Sequence, residues 1–238
     1  MKLTPPFALS TIVQGFGANA VNAYAGMGLK GHPGQDYGVP YGTPIKCAVK
    51  SQCYSTMSKN NPNLMAYRAV FTIIDDVNCS YEVSYGHCSE MYAVPGKTYD
   101  VGEVLALVGN TGDVYVGGAE VTNAEKIAGS HAGAHLHFQV RVLQKESATI
   151  PTDNTKHYVN DGFGILTLNG FHYYVPDFNN GYNGCVDPEP FFDLSTPPAT
   201  DLLPSDRLAI VGNQMMATNQ TQARIVLAVA RLLKAFNS

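Results

Sequence analysis

Apolar runs in this chain are short and heavily punctuated. Ile45–Val49, Tyr67–Ile74, Tyr81–Tyr85, Val104–Val108 and Leu136–Val142 are each bounded by Gly, Pro, Asn or Asp, and no helical period appears until the end of the chain. Runs of this length, rich in β-branched and aromatic residues and set between turn formers, read as strands. Their spacings suit hairpins and meanders, because parallel strands need long, usually helical, crossovers. The expected fold class is therefore mainly β and antiparallel. Composition agrees: 23 Gly and 14 Pro among 238 residues, with 14 Tyr and 10 Phe, describe a turn-rich β protein. With 45% hydrophobic and only 14% charged residues, intrinsic disorder is excluded.

A formal net charge of −4 offers no basic face for nucleic acid or an anionic membrane, so neither is expected as a partner. No apolar stretch approaches the roughly 18 residues of a membrane span. Cys47, Cys53, Cys79, Cys88 and Cys185 form an odd set without a C-x-x-C pair, which predicts buried thiols and no disulfide framework. The N-terminus, MKLTPPFALSTIVQGFG, has a proline pair where a signal peptide needs an unbroken apolar run, so it is expected to be part of the folded protein.

Two segments interrupt the strand rhythm. Residues 113–134 and 144–184 are long, polar and rich in Gly, Asn and Tyr, as expected of ordered loops or small hairpins laid over a core. A Pro/Ser/Thr linker is expected over 196–206. After it, Ile225, Val229, Leu232, Leu233 and Phe236 recur at helical spacing, predicting an amphipathic helical tail over 207–238.

The chemistry concentrates in histidines. His135-Leu136-His137 lies in GAHLHFQV, and side chains two apart on a strand share a face, so both imidazoles can meet one point. His32-Pro33-Gly34-Gln35-Asp36 adds an imidazole and a carboxylate separated by a glycine-containing turn. Catalytic zinc needs three protein ligands and one open position for water. His32, Asp36 and one of His135 and His137 satisfy that count, leaving the other histidine beside the metal for proton transfer. His87, at the end of the run Val83-Ser84-Tyr85-Gly86-His87, is placed to reach the same centre.

HPGQD, YGTPIKCAV, SYGH, DVGEVLALVGNTG and GAHLHFQV, in that order, resemble the lysostaphin-type zinc endopeptidases, also called LytM-like peptidases. The resemblance runs from about Gln14 to Val142 and closes at Val186–Phe192. It implies an antiparallel β-sheet peptidase domain over 1–195, with long loops around a zinc groove and a short C-terminal helical tail. Carried over residue by residue, it makes His32, Asp36 and His137 the Zn²⁺ ligands and His87 and His135 unliganded catalytic histidines. The substrate class it implies is the peptide cross-links or stem peptides of bacterial peptidoglycan. A degenerate relative that binds cell wall, regulates another hydrolase or serves as a structural virion component without cleaving is the alternative. Degenerate members lose zinc ligands, and all three stand here, so the enzyme is expected.

The departures from the family pattern are the two inserted segments. Residues 113–134 separate GNTG from HLH and must emerge beside the metal, either narrowing the groove or decorating its rim; His131 within them is expected at the surface, not as a fourth ligand. GNTG itself is expected to be a tight turn. Residues 144–184 carry FHYYVPDF, whose aromatics either form a small local core or contact glycan or peptide. Peptidoglycan lies outside the cytoplasm, and with no signal peptide seen the expectation is a bacteriophage protein, carried in the tail or released at lysis. The C-terminal helix would then dock on a virion or tail assembly protein.

Overall fold

The computed structural model describes residues 1–19, 23–58, 68–75 and 79–195. The expected linker and the amphipathic tail over 207–238 lie outside the described residues. The strands, in chain order, are β1 (Ile12–Gln14), β2 (Gln35–Tyr37), β3 (Pro44–Lys46), β4 (Ser51–Ser58), β5 (Arg68–Ile74), β6 (Ser80–Gly86), β7 (Cys88–Met91) and β8 (Thr98–Tyr99). They continue with β9 (Val104–Val108), β10 (Tyr115–Val116), β11 (Ala119–Glu120), β12 (Leu136–Ser147), β13 (His157–Tyr158), β14 (Thr167–Leu168), β15 (Phe171–Val175) and β16 (Cys185–Val186).

The large sheet runs β1-β2-β12-β6-β5-β4-β8, a smaller one runs β3-β9-β7, and β10 and β11 form a separate hairpin. Every pairing between these strands is antiparallel, as the turn-rich sequence predicts. Alternation gives the large sheet two faces. Val83 and Tyr85 of β6 and Leu136, Phe138 and Val140 of β12 point inward, packing with Ile45, Leu105 and Val108 of the small sheet in the main core. Each such fully buried side chain contributes about 1.5–3 kcal/mol. The other face carries Glu82, Ser84 and Gly86 on β6 and His137, Gln139, Arg141 and Leu143 on β12; the Ser84–Gln139 and Glu82–Arg141 side-chain contacts join these rows.

Beyond Val142 the sequence reading and the structure part. β12 does not stop there but continues to Ser147, where Gln144–Ser147 pair with Phe171–Tyr174 of β15. β13, β14 and β15 fold over this extension and enclose a second core of Tyr54, Ile73, Leu143, Val159, Leu166, Tyr173 and Val175. The aromatic cluster FHYYVPDF is thus partly a local core. In the main core, Leu3 bridges Phe192 in parallel, Leu3 N–H donating to Phe191 O at 2.8 Å and Asp193 N–H to Leu3 O at 2.7 Å. All five cysteines are free thiols, and only Cys79 is not fully buried, as expected.

Candidate metal centre

β12 is flanked by β2 and β6, and His137 lies opposite Asp36 on one side and Gly86 on the other. Directly opposed residues on neighbouring strands present their side chains to the same face, so register alone brings the imidazole and the carboxylate together. Gly86 brings no side chain to that face. His32 enters from the loop four residues before Asp36. That approach depends on Gly34: a Cβ there would lie 2.5 Å from Phe138 O and 3.1 Å from His137 Cε1. The glycine of HPGQD is needed for close packing on β12, a stricter role than the turn the sequence suggests.

His137 Nδ1 lies 2.8 Å from Asp36 Oδ1 and 2.9 Å from His32 Nε2, and His32 Nε2 lies 3.1 Å from Asp36 Oδ1. All three residues are buried. His32 Nδ1 is 3.1 Å from Gly15 O, and a carbonyl oxygen only accepts, so Nδ1 carries a proton and Nε2 is turned to the centre. Burial pushes the Asp36 carboxyl upward, but hydrogen bonds from His137 and His32 and the charges of the neighbouring histidines outweigh it and hold the group well below the usual carboxylate range. Burial lowers His137 more than its hydrogen bond to the Asp36 carboxylate raises it. Two imidazole nitrogens and a carboxylate oxygen this close together are a zinc donor set. Ligands bonded tetrahedrally at about 2.0–2.2 Å stand roughly 3.3 Å apart, so only a slight opening of this trio admits the ion.

His135 and His87 complete the cluster. His135 Nε2 is 3.6 Å from Asp36 Oδ1, and its ring centroid is 4.4 Å from that of His87, which is 5.8 Å from that of His137. Both rings are fixed from behind. His135 Nδ1 donates to Gly133 O at 2.7 Å, and His87 Nδ1 donates to Thr111 O at 2.6 Å. His87 also has a backbone φ of 59°, a left-handed conformation costing a non-glycine residue about 1–3 kcal/mol, and it is the single residue between β6 and β7. Burial, then the charges of His135 and His137, push its imidazole well below the ordinary histidine range.

Thr111 and Gly109 are site residues that sequence reading did not identify as such. Besides receiving His87, Thr111 donates from Oγ1 to Cys88 O at 2.9 Å and accepts Arg68 N–H at 3.1 Å. Gly109 O accepts the His135 N–H at 3.1 Å, and a Cβ on Gly109 would lie 2.4 Å from Ser89 N. GNTG is therefore the bracket that sets both His87 and His135. Tyr24 was also unmarked: its ring is 5.8 Å from His32, its hydroxyl accepts Gln14 Nε2 at 2.6 Å, and burial followed by the Asp36 charge pushes it up to about 12. The 113–134 insertion folds as the β10–β11 hairpin and a short helix, Asn123–Ile127, opened by a reciprocal Thr122–Glu125 capping box. Asn110 Nδ2 ties its far end down through Ser130 O and Ala132 O at 2.9 and 3.0 Å, while His131 stacks on Tyr41 at 3.7 Å. His131 takes no part in the metal-competent group among the described residues.

Residues 30–151, just over half the chain, match the model of peptidase family M23. The chain belongs to that family. M23 membership makes it a metallopeptidase of a zinc-dependent, lysostaphin-type family, and its His32–Asp36–His137 group is able to hold such an ion. Similar solved structures include a variant of the catalytic domain of a prophage-encoded M23 protein, EnpA, from Enterococcus faecalis, with 22% identity, 58% of this chain and 85% of that one covered, and a TM-score of 0.39. LytU matches with 21% identity over 67% of this chain and 71% of its own, at 0.38. The catalytic domain of lysostaphin from Staphylococcus simulans matches with 17% identity over 75% and 88%, at 0.40. No curated protein matches the chain.

Proposed function

We propose that this M23 chain is a zinc-dependent endopeptidase that hydrolyses peptide cross-links or stem peptides of bacterial peptidoglycan in the extracytoplasmic wall. His32, Asp36 and His137 hold the zinc, and His87 and His135 are the catalytic histidines. The observation that carries the reading is the division of labour among ring nitrogens. Three donors lie close enough to hold one ion, while His87 and His135, each anchored through Nδ1, stand beside them with their rings 4.4 Å apart. Zinc bound there supplies an acidified water and Lewis-acid polarisation of a carbonyl. His87 or His135 would serve as the general base, accepting a proton through Nε2 from the water that bound zinc would acidify. The other, once protonated, donates from Nε2 to the developing oxyanion, and either returns a proton to the leaving amine. The Thr111 and Gly133 carbonyls hold the Nδ1 proton and so fix the tautomer of both rings.

The test is digestion of purified peptidoglycans of two chemotypes, with the released fragments identified by mass spectrometry and the zinc content of the same sample measured. Release of new amino and carboxyl termini by a preparation holding one zinc per chain is expected. A metal-replete protein that binds no zinc, or binds it and releases nothing from either wall, overturns the reading. Delivery in a phage tail or by release at lysis is a further part of the proposal, supported by the helical period of 207–238, which suits a docking element.

A further inference from the structure

The face of β12 that carries His137 continues through Gln139 to Arg141, and there the sheet floors a second cavity. Its volume is about 620 Å³, in the range of small-molecule sites. Arg141 lies four residues from His137, so the cavity begins roughly 13 Å along the strand from the metal centre. The far wall is the 157–178 part of the second insertion, which places His157, Tyr158, Phe163 and Phe178 over Tyr54 and Phe71 of the sheet. Phe163 is 100% exposed, held out on a turn in which Asp161 Oδ1 accepts the N–H groups of Phe163 and Gly164.

The floor is polar but neutral. Arg141 Nη1 donates to Glu82 Oε1 at 3.1 Å, and the Tyr54 hydroxyl donates to Glu82 Oε2 at 2.6 Å. Glu82 is buried at 2% exposure, and its charge cancels that of Arg141. Such a floor does not select an ammonium or a carboxylate. Aromatic walls around a charge-balanced polar floor, with Asp161 as a further acceptor in the lining, suit a ligand with apolar C–H faces and hydroxyl or amide edges, because polarised C–H groups sit well on the electron-rich face of an aromatic ring. That ligand chemistry is a saccharide.

We propose that this cavity is a glycan subsite, holding an N-acetylated sugar of the wall strand while the stem peptide attached to it reaches the metal centre. The inference depends on the peptidoglycan reading for the identity of the sugar. The spacing is suitable: four peptide residues extended at about 3.3–3.6 Å each cover roughly 13–14 Å, the separation of the two sites. The chain thereby selects cross-links still joined to glycan over free peptides.

Peptide-free glycan tetramers of alternating N-acetylglucosamine and N-acetylmuramic acid, titrated into the full zinc-loaded chain and followed by amide NMR shifts, test this. Shifts are expected at 157–163 and at Phe178. Phe163→Ala should weaken binding at least tenfold and Phe163→Tyr less than twofold, while Asp36→Ala, which removes a proposed zinc ligand, should bind glycan as wild type does. In hydrolysis, the ratio of kcat/KM on glycan-attached cross-links to that on free peptides should fall about tenfold in Phe163→Ala. No glycan binding by wild type, binding indifferent to Phe163→Ala, or shifts at the same residues from stem peptides alone overturns the subsite. A chain that cuts cross-links without binding glycan loses the subsite and keeps the peptidase assignment; one that binds glycan at these residues and cuts nothing supports the sugar site and refutes the peptidase.

Discussion

His32, His87 and His135 each give Nδ1 to a backbone carbonyl, and that choice decides which nitrogen remains for chemistry. His87→Ala and His135→Ala should therefore keep the fold and the zinc but lose about a hundredfold to ten-thousandfold in activity, the usual worth of a placed acid or base. His32→Ala, Asp36→Ala and His137→Ala should lose zinc as well, by elemental analysis. Zinc loss in His135→Ala with retention in His137→Ala would reverse the assignment of the pair. A second residue-scale expectation concerns pH. Asp75 accepts Lys145 Nζ at 2.6 Å and Asn169 Nδ2 at 3.4 Å, and these bonds outweigh the upward push of burial, so its carboxyl is lowered from 3.8. A lowered folded-state value means that the stabilisation is complete above 3.8 and is lost as pH falls through the folded value. Urea midpoints of Asp75→Asn should trail wild type at pH 6 and converge with it in strong acid; a gap that persists at low pH would show that the charge is not responsible. The five histidine and aspartate positions were legible because side-chain type and spacing record them. The Thr111 and Gly133 anchors were not, since a backbone carbonyl leaves no mark in the residue alphabet.

At the level of elements, Val104–Val108 is a strand with the bounds the sequence predicts, because its apolar run is closed by glycines on both sides. β4 was missed. Half of its SQCYSTMS is Ser or Thr, which breaks the apolar run, and the burial of Ser51 and Ser55 comes from neighbours and not from their own hydropathy. The run Ile45–Val49 was correspondingly read too long: β3 ends at Lys46 and the chain bends before β4. The Glu82–Arg141 pair was invisible for a similar reason, as neither type is expected on a strand face until the register opposes them. The 113–134 insertion is held at its exit by the two Asn110 side-chain hydrogen bonds. Asn110→Ala should leave two carbonyls without that donor at a cost of about 1–3 kcal/mol, and the loop should become cleavable by protease well before the sheet does. Equal protection in mutant and wild type would mean that the hairpin and the His131–Tyr41 stack suffice on their own.

For the molecule as a whole, every residue proposed to bind zinc or move protons lies between 32 and 137, far from 196–238. Removing 203–238 should leave hydrolysis of soluble wall fragments intact and the melting temperature within a few degrees. A fall of many degrees would show that the tail packs on its own β domain and would remove the docking proposal. The parallel bridge between Leu3 and Phe192 sets where the domain can be cut and rejoined. With those two residues side by side, a few Gly and Ser residues can connect them without spanning a gap, and new ends can be opened at the exposed Gly117–Gly118 tip of the β10–β11 hairpin. Such a circular permutant should fold and retain its zinc, since no ligand or anchoring carbonyl is separated from its strand. Loss of zinc in a folded permutant would mean that the covalent order through 113–134, beyond its hydrogen bonds, holds His135 and His137 in place.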